Sequence, residues 1–351
     1  MTAMDTITCC VLGARSHRMP LAYPALAQLF ACKISFTSPT EADLLMFGHP
    51  DDLIEAAEML VPLCRANPHK RVIYLSEEPF WDTVGPIPPF QRQQTLNTEF
   101  GPLAITCLTH HSSAIFTFER IPYFLLTDTA FSKRYARHFA ANRKMNKNDW
   151  QAHFARAPLR AAFMAENRLS PKLDVHFDDH GVRGLCTWRT ELAIRYRTGP
   201  VLRAGKGWSA GSQDRVALPD WHLDKLQRLD RQCVFVSALE NTHQPSYVSE
   251  KIFDAFALGA VPLYYAAPDH AVHRIVPEGA WLNLYGLSVT QAAAAIDAFD
   301  FDDAFYTAYM AAQTQLAALF TTQTWLTQEQ ARLAQALLAE LETVLHDQPR
   351  S

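Results

Sequence analysis

The 351-residue sequence contains no Cys-x-x-Cys pair, no excess of basic residues and no internal repeat or low-complexity tract. It also lacks a run of about eighteen apolar residues, so no membrane span is expected. The seven cysteines are dispersed, only Cys9 and Cys10 being adjacent. That pattern argues for reduced thiols and a cytoplasmic location. The N-terminus has no charged-then-apolar layout of a secretory signal. A formal charge of -4 gives no general attraction to nucleic acid or anionic membrane. What is plentiful is apolar matter, at 48% of residues, enough for a full core. The length admits two domains of ordinary size.

The first third alternates between strand and helix signals. Ile7–Leu12, Asp43–Phe47 and Arg71–Leu75 read as strands, Leu21–Cys32 and Asp51–Val61 as helices, with Pro62 kinking or ending the second. Such alternation implies a parallel sheet covered on both faces. Residues 76–125 break the rhythm with Pro79, Pro86, Pro88 and Pro89 and read as an irregular segment. Within it, short strands are expected at Ala104–Leu108 and Ala114–Phe118, around a solvated His110-His111 turn. Thr129–Asn142 reads as a helix, followed by a polar link. Alternation then resumes with a strand at Ala161–Ala165, helices at Thr187–Arg197 and Trp221–Leu229, and strands at Cys233–Leu239 and Ala260–Tyr265. Gln328–Leu345 has leucines at helical spacing and reads as a packing helix. A peripheral membrane contact by that helix is the other reading, weakened by Glu340, Glu342 and few cations.

Between the two later strands lies Glu240-Asn-Thr-His-Gln-Pro-Ser-Tyr-Val-Ser-Glu-Lys251, followed at once by an apolar helix. The spacing brings an amide, a phenol, a carboxylate and an ammonium to the start of one helix. A helix N-terminus carries partial positive charge and free N–H groups, so it suits an anion such as a diphosphate. A strand–loop–helix–strand unit implies a right-handed crossover, and ligands bind beyond the carboxyl ends of such strands. The plainer reading makes Ser249 a helix cap and the Glu-Lys pair solvated surface.

The stretch closely resembles the donor-binding motif of the α-1,3/4-fucosyltransferases, glycosyltransferase family ten. There a strand ends in Glu-Asn, a short Pro-containing loop leads to Gly-Tyr-Val/Ile-Thr-Glu-Lys, and a second strand ends in a Pro-Val-Tyr-Trp-Gly-Ala-Pro-like turn. This chain has Glu240-Asn241, Pro245, Tyr247-Val-Ser-Glu250-Lys251 and Val261-Pro-Leu-Tyr-Tyr-Ala-Ala-Pro268, with no gap. It departs at Ser246, Ser249 and Tyr265-Ala266, where the family has Gly, Thr and Trp-Gly. The likeness is strong over 233–268, weaker over 160–210 and faint before.

The resemblance implies an α/β protein of GT-B type, two Rossmann-like domains facing a cleft. Residues 1–150 would form the acceptor-side domain, and 151–351 the donor-nucleotide domain with the C-terminal packing helix. It implies an inverting enzyme that moves fucose from GDP-fucose to a glycan hydroxyl with an α-linkage. Lys251 and Arg189 would stabilise the leaving diphosphate, so that no cofactor or metal is required. Asn241, Tyr247 and Glu250 would hold the donor's hydroxyls. Tyr74-Leu-Ser-Glu77-Glu78 is similar to the bacterial family's Tyr-x-Gly-Glu-Asn, which makes Glu77 the expected base and Glu78 the fallback. Two adjacent carboxylates repel, which raises one pKa. Bacterial members begin directly with the catalytic part, and this chain is expected to be of that kind. Two alternatives are a GT-B enzyme using another nucleotide sugar and an inactive glycan-binding module. His176-Phe-Asp178-Asp-His180 has no completing metal ligand nearby, and Asp300-Phe-Asp302-Asp303 precedes a helix, where a capping role suits it better.

Overall fold

The computed structural model describes residues 6–209 and 217–347. It divides into two compact units, one running through Thr129 and resuming at Leu326, the other spanning Ala130–Trp325.

The first unit carries β1 (Ile7–Leu12), β2 (Ile34–Phe36), β3 (Leu44–Phe47), β4 (Arg71–Leu75), β5 (Gln93–Thr98) and β6 (Gly101–Leu108), ordered β2-β1-β3-β4-β6-β5. All neighbours are parallel except β5 and β6. Helices α1 (Pro24–Ala27), α2 (Pro50–Glu55), α3 (Ala57–Ala66), α4 (Pro79–Val84) and α5 (Tyr123–Leu126) lie in its N-terminal part. All four residues of β3 are fully buried, as a central parallel strand with both faces covered requires. The chain leaves β1 for β2 on one side and returns to β3 on the other. That reversal opens a crevice at the carboxyl ends of the strands. Gly13 follows β1 there with φ of 99°, and a Cβ would stand 2.3 Å from Asp52 Oδ2, so only glycine fits.

Several expectations for this unit need correction. Residues 93–98 are not irregular but form β5, whose sides alternate between exposed and half-buried as an edge strand's do. No strand forms at Ala114–Phe118. The hydroxyls of Thr109, Ser112 and Ser113 satisfy nearby backbone instead, for example Ser112 Oγ donating to Cys107 O at 2.6 Å, and local bonds of this kind compete with strand pairing. The expected helix over 21–32 shrinks to α1. That over 51–61 divides at Ala56, and Pro62 lies inside α3 rather than ending it.

The second unit contains α6 (Thr129–Asn142), α7 (Lys147–Arg156), β7 (Leu159–Met164), β8 (His176–Phe177), β9 (Val182–Gly184), α8 (Cys186–Arg195), β10 (Val201–Ala204), α9 (Trp221–Leu229), β11 (Cys233–Ser237), β12 (Thr242–His243), α10 (Glu250–Ala257), β13 (Val261–Tyr264), β14 (Leu282–Asn283), α11 (Val289–Asp297) and α12 (Asp303–Thr321). A five-stranded parallel sheet runs β10-β7-β11-β13-β14, and β12-β9-β8 form a small antiparallel sheet. The expected strand–loop–helix–strand unit is β11, α10 and β13, with Phe235 registered on Val261. Asp302 caps α12 by accepting from Phe305 N at 2.7 Å.

The last helix, α13 (Gln323–His346), belongs from Leu326 onward to the first unit rather than to the unit that holds residues 151–325, with which it was expected to pack. The division also falls at 129, not 150. The physical reason is side-chain anchorage. Asn142 on α6 donates to the carbonyls of Phe256 and Ala257 at the end of α10, and Trp150 on α7 meets the Tyr309 ring edge-on at 4.9 Å. Leu333, Leu337 and Leu341 of α13 are fully buried, which occupies the face that a membrane contact would use. No helix among the described residues is long and apolar enough to cross a membrane. All seven cysteines are free.

Candidate active site

In the second unit, β11 ends at Ser237 and the chain turns through Leu239-Glu240-Asn241 before reaching α10. Glu240 is the hub of this turn. Its Oε1 accepts from Ser249 N at 2.9 Å, and its two oxygens accept from Ser249 Oγ at 2.7 and 2.8 Å. Lys251 Nζ donates to Oε2 at 2.8 Å and stands 3.5 Å from Glu250 Oε1. The Ser249 side chain therefore makes no cap to α10, because its hydroxyl is committed to Glu240. Nor is the Glu-Lys pair a solvated surface: Glu250 is 4% exposed. Burial works to lower the Lys251 pKa, but the carboxylates of Glu240 and Glu250 outweigh it and hold the ammonium above its usual range. Lys251 is thus a fixed cation.

The same turn reaches α8. Asn241 O accepts from Leu185 N at 2.8 Å, so the starts of α8 and α10 flank residues 239–241. Arg189, in the first turn of α8, is 5% exposed and donates from Nη1 to Leu239 O at 3.3 Å. Its charge is felt at Lys251. The structure therefore brings Arg189, Asn241, Glu250 and Lys251 together, with Tyr247 buried in the loop between. Among the described residues, Arg189 Nε and Glu250 Oε2 are buried without a hydrogen-bond partner. Unpaired buried atoms of this kind are costly and rare, and at a polar crevice they fit a ligand.

Two further residues, His243 and Arg183, were not singled out from the sequence. They face each other across β12 and β9. His243 is 3% exposed, and among the described residues neither of its ring nitrogens nor Arg183 Nε has a partner. Burial lowers the His243 pKa to about 4, so the ring is neutral near pH 7. It stacks on His270 at 5.1 Å and meets the edge of Tyr265, whose hydroxyl accepts from Arg183 Nη1 at 3.0 Å. Only their place in and beside the motif loop could have marked them.

In the first unit, β4 delivers Glu77 at its carboxyl end. Tyr23 donates to Glu77 Oε1 at 2.8 Å and Tyr123 to Oε2 at 2.7 Å. Arg18 Nε lies 3.6 Å from Oε1 and its Nη2 pairs with Glu78. The Glu77 pKa is raised chiefly by burial, against the opposing effects of both tyrosines and Arg18. Repulsion from Glu78, the cause expected from the sequence, is the least of these. His110 is not solvated. It stacks on Phe116 at 4.4 Å, and its Nε2 lies 3.1 Å from the Glu77 carbonyl. A carbonyl only accepts, so Nε2 carries the proton; burial lowers this histidine's pKa to about 3.

Two buried anchors stand behind these groups. Asp254, one turn beyond Glu250 on α10, accepts from Tyr135 at 2.6 Å, His222 Nε2 at 2.8 Å and Lys225 at 2.8 Å. Arg134 always donates, so His222 Nδ1, 2.9 Å from it, must accept, and Nε2–H faces Asp254. Burial alone would raise the Asp254 pKa, but Lys225 and His222 depress it strongly. A depressed carboxylate contributes stability above its unfolded pKa and loses it as pH falls through the folded value. Asp254→Asn leaves Lys225 uncompensated and is expected to cost about 3–5 kcal/mol, read from urea unfolding; Asp254→Asn with Lys225→Met should recover much of the loss.

Glu329 of α13 is the other anchor. Its Oε1 accepts from the backbone N–H groups of Glu119, Arg120 and Ile121 at 2.9, 2.6 and 3.3 Å. These residues lead directly into Pro122-Tyr123. Glu329→Ala should therefore cost about 2–4 kcal/mol by orphaning these donors, measured by denaturant midpoint. A loss below about 1 kcal/mol, the net worth of a single ordinary hydrogen bond, would contradict the anchoring role.

Residues 209–346 match the family described as glycosyltransferase family 10 (fucosyltransferase), C-terminal. The chain is similar to a solved structure of an alpha1,3-fucosyltransferase, at 15% identity and a TM-score of 0.49, covering 100% of this chain and 95% of that one. A solved alpha1,3-fucosyltransferase with GDP-fucose is 14% identical with a TM-score of 0.45, covering 98% and 92%. No curated protein sequence matches.

Proposed function

We propose that this protein is an inverting fucosyltransferase that moves fucose from GDP-fucose to a glycan hydroxyl, forming an α-linkage; the match of residues 209–346 to glycosyltransferase family 10 supports this reading. The observation that carries this reading is the start of α10. There the fixed Lys251 cation adjoins a guanidinium and a carboxylate whose buried atoms, Arg189 Nε and Glu250 Oε2, have no partner among the described residues.

Lys251 and Arg189 neutralise the diphosphate as it leaves, while Asn241, Tyr247 and Glu250 hold donor hydroxyls. Glu77, with its raised pKa, takes the acceptor proton. GDP-fucose carries a β-linked sugar, so a single displacement inverts it to an α-fucoside. Two protein cations supply the positive charge that electrostatic catalysis needs, so turnover should persist in EDTA. The test is release of GDP from GDP-fucose across a glycan panel, with the product's anomeric configuration read by NMR. Turnover with UDP- or CMP-linked sugars and none with GDP-fucose would overturn the donor assignment. A β-fucoside would overturn the inverting one.

A further inference from the structure

The surroundings of Glu77 raise a question that its identity as a base does not answer. A carboxylate offers two acceptor sites on each oxygen. Here Oε2 takes the Tyr123 hydroxyl, and Tyr123 is 3% exposed. That edge faces the core, where no glycan can arrive. Oε1 takes the Tyr23 hydroxyl at 2.8 Å, with the Arg18 guanidinium 3.6 Å away. Glu77 itself is 8% exposed. Of the donors facing the carboxylate, Tyr23 and Arg18 are the ones partly open to solvent, and the neighbouring Glu78 is paired with Arg18. Arg18 has no proton-accepting site, because a guanidinium only donates. Of the two hydroxyls bonded to Glu77, that of Tyr23 therefore belongs to the residue that the core does not close off.

We propose that Tyr23 is a catalytic residue that relays the acceptor's proton to Glu77. The inference rests on the reading of Glu77 as base. As the acceptor oxygen bonds to the sugar's anomeric carbon, its proton passes to Tyr23 Oη, and the Tyr23 hydroxyl proton passes to Glu77 Oε1. The bond from the anomeric carbon to the phosphate oxygen breaks, and its electron pair leaves with the diphosphate. Tyr23 ends as it began, a neutral phenol, and Glu77 ends as a carboxylic acid that returns its proton to solvent. The transfers are concerted: burial and the Glu77 charge push the Tyr23 pKa far above its usual value, so no free phenolate forms.

Two features fix Tyr23 for this task. Its backbone carbonyl accepts from Leu26 N at 2.9 Å and Ala27 N at 2.8 Å as α1 begins. Pro24, at the first position of α1, restrains the backbone there. Tyr123, equally close to the carboxylate but buried, tunes Glu77 without relaying.

The test compares Tyr23→Phe, Tyr123→Phe and Glu77→Gln in the full chain, using GDP release from GDP-fucose against pH. Tyr23→Phe should lower kcat about 100-fold at every pH, the scale of a positioned proton-transfer group, with the KM for GDP-fucose unchanged. Tyr123→Phe should shift the acid limb of the profile to higher pH, because the carboxylate loses a stabilising donor. If Tyr23→Phe shifts the limb but regains the parental rate at high pH, Tyr23 only tunes the base and the relay is wrong. If Glu77→Gln keeps the parental rate, the base assignment itself fails, a result distinguishable from failure of the relay. An unchanged increase in melting temperature with GDP certifies that each variant is folded.

Discussion

Lys251→Ala should lower kcat/KM for GDP-fucose about 1,000-fold, the effect expected when a positioned charge is removed from a leaving group in a water-poor site. Lys251 Nζ sits 2.8 Å from Glu240 Oε2, and the surrounding carboxylates raise its pKa despite burial, so the cation is present throughout the working pH range. Removing it also leaves Glu240, 3% exposed, without its counter-charge, and a loss of about 2–4 kcal/mol in stability follows. The two effects separate in the double variant Glu240→Gln with Lys251→Ala. Stability should return in large part, because the amide introduced at position 240 needs no cation, while turnover should not. If the double variant regained activity, Lys251 would be a structural counter-ion only.

The second large effect is expected at Glu77. Glu77→Gln should reduce turnover by about 10²- to 10⁴-fold, the range of a general base, with little change in the KM for GDP-fucose. Stability should move the other way. A carboxyl whose folded pKa is raised contributes stability below its unfolded pKa and loses that contribution as pH rises through the folded value. Above that raised pKa the ionised, buried Glu77 therefore opposes folding, and there glutamine should leave the melting temperature unchanged or raise it. A variant that lost turnover and stability together would point to a structural role instead. The parent's rate should fall on the acid side as pH drops through the raised Glu77 pKa. That limb should vanish in Glu77→Gln.

What could be read from the sequence was set by how local its cause is. The β11–α10–β13 unit was legible because its strands are continuous apolar runs and its polar loop has a fixed spacing. The antiparallel β5 was not, because an edge strand of Gln93-Gln-Thr-Leu-Asn-Thr98 has too little apolar contrast to announce itself. Glu250 and Lys251 could be singled out, yet the role of Glu240 in holding Lys251 and Ser249 emerged only from the 2.7–2.9 Å bonds that cross nine to eleven residues. Glu77 was visible as a carboxylate ending a strand. Its tyrosine partners were not, since Tyr23 and Tyr123 lie 54 and 46 residues away in sequence. Glu329 was hidden for the same reason. A glutamate on an amphipathic helix looks solvated until the chain that meets it, more than 200 residues earlier, is in place. Residue pairs joined by short loops were foreseeable, and those joined by tertiary closure were not.

The central claim is that the cationic start of α10 grips a guanine nucleotide's diphosphate, and nucleotide-dependent thermal unfolding tests it most directly. At a GDP concentration of about 100 times Kd, binding to the folded state alone adds about 2.7 kcal/mol, which raises the melting temperature of the parent by several degrees. GDP should stabilise the parent more than UDP or CMP does, and Lys251→Ala should lose most of the GDP shift while Glu77→Gln keeps it. A parent that melts at the same temperature with and without GDP, or a Lys251→Ala variant that keeps the full shift, would contradict the account.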